Sequence, residues 1–278
     1  MLDTPRTKIA IFLALTFGFS SYFYWRILAA GALDTGGGLY VLGLMWCPGI
    51  AAIVTRLVTQ RSLAGQGWKP WPPRPLGLGY VLPLLYAAPV YLIAWALGIG
   101  GFNPAIWGPV GAQFGLGPSP VAGLFILATL GVAQSLISAT GEEIGWRGLL
   151  VPELAKIASF RNVALISGAI WASWHMPILI FGDYNGGTTP ILFSLVCFAV
   201  MAVSMSFVLA WLRLSSGSFW PCALLHATHN LFVQGVFDAA TVDRGGTTWL
   251  TGEFGAGLAV TTLLLALWVA RRARRSEG

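Results

Sequence analysis

The chain is predicted to be an all-α, polytopic transmembrane helical bundle of about eight spans. Three observations predict it. Of the 278 residues 56% are hydrophobic and only 9% are charged, against about 25% charged in an ordinary soluble domain. Mean hydropathy is +0.74. No polar stretch is long enough to build a separate soluble domain, so a single membrane domain is expected.

A span needs about 20 mainly apolar residues, and eight segments qualify: Ile9 to Ala30, Leu39 to Val58, Gly77 to Leu97, Pro120 to Ser138, Asn162 to Phe181, Pro190 to Leu212, Phe219 to Phe237 and Trp249 to Ala270. The fourth can continue helically through the residues that follow it. Arg6 and Lys8 precede the first, and Ala30-Gly31-Ala32 resembles a signal cleavage site. That apolar run is longer than a signal core of about 7 to 15 residues, so a retained span is expected.

Lys and Arg alternate in side. With the amino terminus inside, Arg6, Lys8, Arg56, Arg61, Lys69, Arg74, Arg147, Lys156, Arg161, Arg213, Arg271, Arg272, Arg274 and Arg275 are cytoplasmic, leaving Arg26 and Arg244 outside. The positive-inside rule therefore predicts both termini in the cytoplasm of a cell (plasma) membrane protein. The basic tail reads as a stop-transfer anchor on anionic lipid. Basic residues outnumber acidic ones 16 to 10, yet they are scattered singly between apolar runs, so no nucleic-acid partner is indicated. Cys47, Cys197 and Cys222 lie far apart in predicted spans without a CxxC pair, which indicates neither a disulfide framework nor a thiolate zinc site. The proline-rich stretch 68–75 reads as a stiff inner loop, and 98–118 as an outer loop or re-entrant piece.

Glu142 and Glu143 stand side by side at the end of a membrane-length apolar run, in a chain with ten acidic residues. An acidic side chain at a helix centre costs about 2.5 to 3.5 kcal/mol on insertion scales, so such residues are usually kept for a function. All three histidines, His175, His226 and His229, fall in later predicted spans, as does Asn230. Glu143 and Arg147 are four apart with Glu on the N-terminal side, the favourable order for an ion pair on one face. Glu142 is then turned about 100° away and lacks that cation, the setting in which a buried carboxylate becomes a usable general base. Arg147 serves the scaffold or grips a substrate carboxylate. Trp171 and His175 form a second i,i+4 pair, with Pro177 beyond them freeing backbone carbonyls. His226 and Asn230 form a third, and spacing does not exclude His229 from it.

Glu142-Glu143-Ile144-Gly145-Trp146-Arg147 fits EExxxR, Trp171 to His175 fits an aromatic-xxx-His motif, and His226 to Asn230 fits HxxxN. In that order, over roughly residues 120 to 236, they resemble the CPBP family of type II CAAX prenyl endopeptidases and their prokaryotic abortive-infection and bacteriocin-processing relatives. The resemblance implies a CAAX type II protease-like core at 120–236, flanked by spans and an outer loop at 1–119 and a last span and tail at 237–278. It implies an intramembrane endopeptidase of glutamic type, without a cofactor, acting on a membrane-associated peptide or protein substrate, prenylated or not. Glu142 with His175 would activate water, His226 and Asn230 would stabilise the oxyanion, and Glu143, Arg147 and Trp171 would support them. The family commonly has Phe where this chain has Trp171.

Glu142 is expected near the cytoplasmic end of its span and His226 about 10 Å into its own. His175 comes out deeper, near 20 Å, so tilt or a distortion at Pro177 must bring it level, with substrate entering from the cytoplasmic half of the bilayer. Three other readings compete. Glu142, His175 and His226 could ligate zinc as a His2Glu set, although HExxH spacing is absent. A proton-coupled transporter would use the same groups, but it would favour matching broken spans in both halves, and the polar residues lie in one half. A non-catalytic immunity or regulatory protein of the same fold would keep the constellation for structure.

Overall fold

The structure, a computed structural model, describes residues 3–34, 36–182 and 189–277, with side chains as far as residue 273. Helix α1 (Pro5–Ala30) starts where the Thr4 hydroxyl accepts from the Thr7 amide and Pro5 presets the first turn, and it ends on the left-handed Gly31. The other long helices are α2 (Leu39–Gln60), α3 (Pro73–Ala96), α5 (Pro120–Ala155), α6 (Phe160–Phe181), α7 (Ile191–Ser216) and α9 (Ala256–Glu277). Between α3 and α5 lie strand β1 (Gly100–Phe102) and the short helix α4 (Gly108–Gln113). Helix α8 (Trp220–Asn230) runs into a π-helical turn, Leu231–Asp238. Strand β2 (Thr241–Asp243) pairs antiparallel with β1, Gly101 opposite Val242. The chain is thus an all-α polytopic bundle and an integral membrane protein. Its outward faces carry exposed apolar side chains such as Leu85, Leu92, Phe125, Leu192 and Leu264.

Seven helices among the described residues are long and apolar enough to cross a membrane. The seventh expected span, Phe219 to Phe237, is helical but divides into 11 α-helical and 8 π-helical residues. Its His226, Thr228 and His229 are buried inside the bundle. The fourth span is longer than its apolar core suggests, because α5 continues through both glutamates to Ala155. The last begins later, at Ala256, since Thr247–Trp249 is a 3-10 turn. The 98–118 segment holds the unpredicted β1 and closes one end of the bundle. Helix α1 belongs to the core: Trp174 Nε1 donates to Ser20 Oγ at 2.8 Å and Tyr24 donates to the Trp174 carbonyl. All three cysteines are free and buried.

Close approach of α2 to α5 positions the glutamates. Gly141 and Gly145 sit one turn apart on α5, where a Cβ would lie 2.8 Å from the Met45 carbonyl oxygen and 2.7 Å from the Pro48 carbonyl carbon, respectively. Small residues at this spacing let two backbones touch, the packing that associates helices in lipid. Beyond them, Trp146–Leu150 is π-helical, which leaves backbone carbonyls without their usual helical partners. Polar side chains take them up. Gln66 Nε2 donates to the Ile144 carbonyl, Arg213 Nε to that of Arg147 at 2.6 Å and Arg56 NH2 to that of Gly148 at 3.1 Å. Arg56 also donates to Gln66 Oε1. Arg56, Arg213 and Arg147, counted above among the cytoplasmic cations, are buried. Of the tail, Arg271 and Arg272 are exposed; the side chains of Arg274 and Arg275 lie outside the described residues.

Gly145→Ala forces α2 from α5 and is expected to cost about 1–3 kcal/mol, lowering the thermal transition in detergent, whereas Gly18→Ala, whose Cβ meets nothing within 4 Å, leaves it unchanged. Gln66→Leu strands the Ile144 carbonyl and the Arg56 guanidinium, and denaturant-induced release of tryptophan fluorescence should reveal a loss of about 1–3 kcal/mol.

Candidate active site

The two adjacent carboxylates face different surroundings. Glu143, fully buried, accepts from Arg147 NH1 at 2.8 Å and from His226 Nδ1 at 3.0 Å, so it ties α5 to α8. Its second oxygen, Oε2, has no hydrogen-bond partner among the described residues. Arg147 also donates to Ser206 Oγ at 3.3 Å and lies 4.6 Å from the centre of the Trp171 ring. It is only 1% exposed, which removes the expectation that it could grip a substrate.

Glu142 takes its hydrogen bonds from neutral donors. Its Oε2 accepts from Trp171 Nε1 at 2.8 Å and from Trp146 Nε1 at 3.3 Å, and no ion pair is formed by it among the described residues. Both indoles are packed: Trp146 meets Phe12 edge-on at 5.5 Å and Trp174 at 5.9 Å, and Trp171 meets His226 at 5.4 Å. Spacing anticipated the packing of Trp171 on His175, with ring centres 5.5 Å apart. It did not reveal that the same indole reaches Glu142 on another helix.

His175 Nδ1 lies 2.8 Å from the Trp171 carbonyl oxygen. A carbonyl only accepts, so Nδ1 carries the proton, and the neutral ring keeps its lone pair on Nε2. His226 is fixed by the same logic, its Nδ1–H donating to Glu143. His229 is held on both nitrogens: Nε2–H donates to Glu253 Oε1 at 2.9 Å, and Nδ1 accepts from the Tyr86 hydroxyl at 2.7 Å. Tyr86 and Glu253 escaped sequence reasoning because they lie far from the motifs along the chain; a lone tyrosine and a loop glutamate give no periodic signal.

Glu142, Trp171, His175, His226, His229 and Asn230 all line one cavity of about 180 Å³, whereas Glu143 and Arg147 lie behind its wall. The cavity's remaining lining is mainly apolar, with Ile27, Leu44, Phe198 and Met201 among it. The expected members of the constellation are therefore brought together around a shared space. Although Glu142, His175 and His226 share it, no group of three His, Cys, Asp or Glu side chains among the described residues is gathered closely enough to hold a metal ion.

Depth differs from expectation. Glu142 is 13 residues from the end of α5 at Ala155, about 20 Å at 1.5 Å per residue, and not near that end. His175 is level with it without any break at Pro177, because α6 is continuous through that residue. The start of α8 is itself covered: Ser218 Oγ donates to the Lys69 carbonyl at 2.6 Å and the Phe219 amide to that of Gly67 at 3.3 Å. The cavity extends toward the opposite end of the bundle, where Leu33 and Glu253 line it. No residue of the connections at 61–72, 156–159 or 217–219 lines it.

No curated protein sequence matches the chain. A family model described as Rce1-like, type II CAAX prenyl endopeptidase, matches residues 123–232. The segment includes both glutamates, His175, His226 and Asn230, and leaves out Tyr86 and Glu253. Over residues 123–232 this membrane protein is thus similar to the Rce1-like type II CAAX prenyl endopeptidases that its three motifs resemble.

Proposed function

We propose that the protein is an intramembrane endopeptidase of glutamic type, acting on a membrane-associated peptide or protein, with its catalytic core within 120–236. The observation that carries this reading is the division of labour between the paired carboxylates. Glu142 lines the cavity with His175, His226 and Asn230 and accepts only from indole N–H groups, while Glu143 is committed to Arg147 and His226 behind the wall.

In this mechanism a water molecule sits between Glu142 and the bare Nε2 of His175. Glu142 takes one proton, and the oxygen attacks the scissile carbonyl carbon. Negative charge then develops on the carbonyl oxygen. Asn230 donates its amide N–H to that oxygen, and His226 donates Nε2–H from an imidazolium whose charge Glu143 balances. Such donors act strongly in a water-poor, low-dielectric site because they need no reorganisation. The proton on Glu142 passes to the amide nitrogen, the C–N bond breaks, and a carboxylic acid and an amine leave. The tryptophan cage around Glu142 keeps the carboxylate aimed at the cavity throughout.

The charge asymmetry supports both termini in the cytoplasm of a cell membrane: Lys and Arg crowd one end of the bundle, and the other end keeps Arg26 and Arg244. The apolar lining supports a hydrophobic residue next to the scissile bond.

Purified protein in liposomes, incubated with a library of membrane-anchored peptides and analysed by mass spectrometry, should cleave a subset. Glu142→Gln removes the base and should reduce that cleavage by about 10²–10⁴-fold; equal cleavage by wild type and Glu142→Gln would refute the assignment. Asn230→Ala should lower kcat by about 10²–10³-fold with KM little changed, as expected of a donor that matters chiefly in the transition state.

A further inference from the structure

Four Lys or Arg side chains are buried among the described residues: Lys8, Arg56, Arg147 and Arg213. A cation taken out of water needs a counter-charge close by. Three of the four have one, since Lys8 and Arg56 each lie 3.9 Å from Glu153 and Arg147 lies 2.8 Å from Glu143. Arg213 forms no ion pair among the described residues. Its Nε donates to the Arg147 carbonyl at 2.6 Å and its NH2 to the Gly65 carbonyl at 2.9 Å, which leaves NH1 without a hydrogen bond among the described residues.

Arg213 lines a cleft of about 550 Å³ at the basic end of the bundle, between the 61–72 connection and the turn from α7 into α8. Trp68, Lys69 and Trp71 contribute to one side, Ser216 and Ser218 to the other, and no Asp or Glu lines it. Lys69 is exposed and forms no ion pair among the described residues, so the cleft holds two cations and no carboxylate. Contacts across it fix its shape. Ser218 Oγ donates to the Lys69 carbonyl at 2.6 Å, Trp220 Nε1 donates to the Trp68 carbonyl at 2.6 Å, and Trp68 meets Phe219 edge-on at 5.5 Å. Pro70 and Pro72 restrict the backbone that joins the indoles to α3. Trp68 and Trp71 are 40% and 66% exposed, and indoles displayed beyond the end of a span lie at the level of lipid headgroups.

We propose that this cleft binds the phosphodiester of an anionic phospholipid from the leaflet at the basic end. A guanidinium presents its N–H groups in a fork that matches phosphate oxygens, and NH1 of Arg213 is the group left to do so. The ligand supplies the counter-charge that the chain itself withholds from Arg213, with the Lys69 ammonium as a second cation and the two indoles against the glycerol and upper acyl region. Without a carboxylate in the lining, the ammonium of a zwitterionic headgroup has no partner, so the site selects a headgroup of net negative charge. Because the same guanidinium holds the Arg147 carbonyl, the bound lipid braces the π-helical turn that follows the glutamates. The inference does not depend on the endopeptidase reading.

Native mass spectrometry of the full chain, released from detergent micelles that contain equal amounts of dioleoyl phosphatidylglycerol and dioleoyl phosphatidylcholine, tests the site. The wild type is expected to retain phosphatidylglycerol in preference to phosphatidylcholine. Lys69→Glu sets a carboxylate in the cleft while leaving both carbonyl bonds of Arg213 in place, and should lower that retention about tenfold, as the loss of a hydrogen bond to a charged group does. Arg161→Glu makes the same change of charge at an exposed position of α6 outside the cleft and should leave retention unaltered. Equal retention of the two lipids by the wild type, or equal phosphatidylglycerol retention by wild type and Lys69→Glu, would overturn the site; so would an equal loss in Arg161→Glu, the mark of a general charge effect. Should Lys69→Glu fail to accumulate, Trp71→Ala removes an exposed wall of the cleft and is expected to weaken retention in the same sense. Thermal unfolding in detergent separates a lipid from a soluble anion: phosphatidylglycerol should raise the wild-type transition and inorganic phosphate at the same concentration should not, and an equal rise with inorganic phosphate would overturn the lipid assignment. Neither measurement involves peptide cleavage, so failure here is distinguishable from failure of the endopeptidase reading.

Discussion

A carboxylate enclosed in an apolar bundle has to be neutralised by a partner, and this protein builds two settings for two neighbouring glutamates. Glu143 is satisfied by a guanidinium from its own helix and an imidazole from α8. Truncating one member of such a buried pair leaves an uncompensated charge, a penalty of several kcal/mol, so the pairing constrains where α8 must lie. Once α8 is held by Glu143, His226 and Asn230 are presented to the cavity. Glu142, one residue earlier and turned away, is held by tryptophan N–H groups that fix its direction and bring no positive charge. The same helical turn therefore supplies both the anchor and the carboxylate that faces the cavity.

That turn exists only because the backbones of α2 and α5 touch at Gly141 and Gly145 and because α5 changes to π geometry directly afterwards. A π turn leaves carbonyls pointing away from their usual partners, and inside a membrane each must be answered by a donor. Arg56, Gln66 and Arg213 answer them from α2, the α2–α3 connection and α7. The result is a rigid floor: cations that sequence patterning assigns to topology are used as hydrogen-bond donors to one distorted segment. The same interactions that stabilise the distortion lie behind the cavity, since none of these three side chains lines it.

Much of this was legible without coordinates. Seven of the eight expected spans appear as long apolar helices, and the Glu143–Arg147 and Trp171–His175 pairs are formed as spacing required, since both partners sit on one helix and its pitch alone sets their proximity. Misplaced features share a different origin. The extension of α5 to Ala155 was obscured by the polar residues after Ser138, which are buried against other helices and so need no apolar character. Tyr86 and Glu253 entered the site from outside the matched core, on elements that no motif marks.

Apolar run lengths, helical pitch and the distribution of Lys and Arg determine the bundle, the pairing of Glu143 with Arg147 and the basic character of one end, because these depend on neighbours within a few residues along the chain. Tertiary structure decided which donors hold Glu142, which cations are buried, and which residues from outside the motifs join the site. Those outcomes depend on the rotation of each helix about its axis and on how closely two backbones approach, quantities set by contacts between residues distant in sequence, such as Gly141 with Met45 and Glu143 with His226.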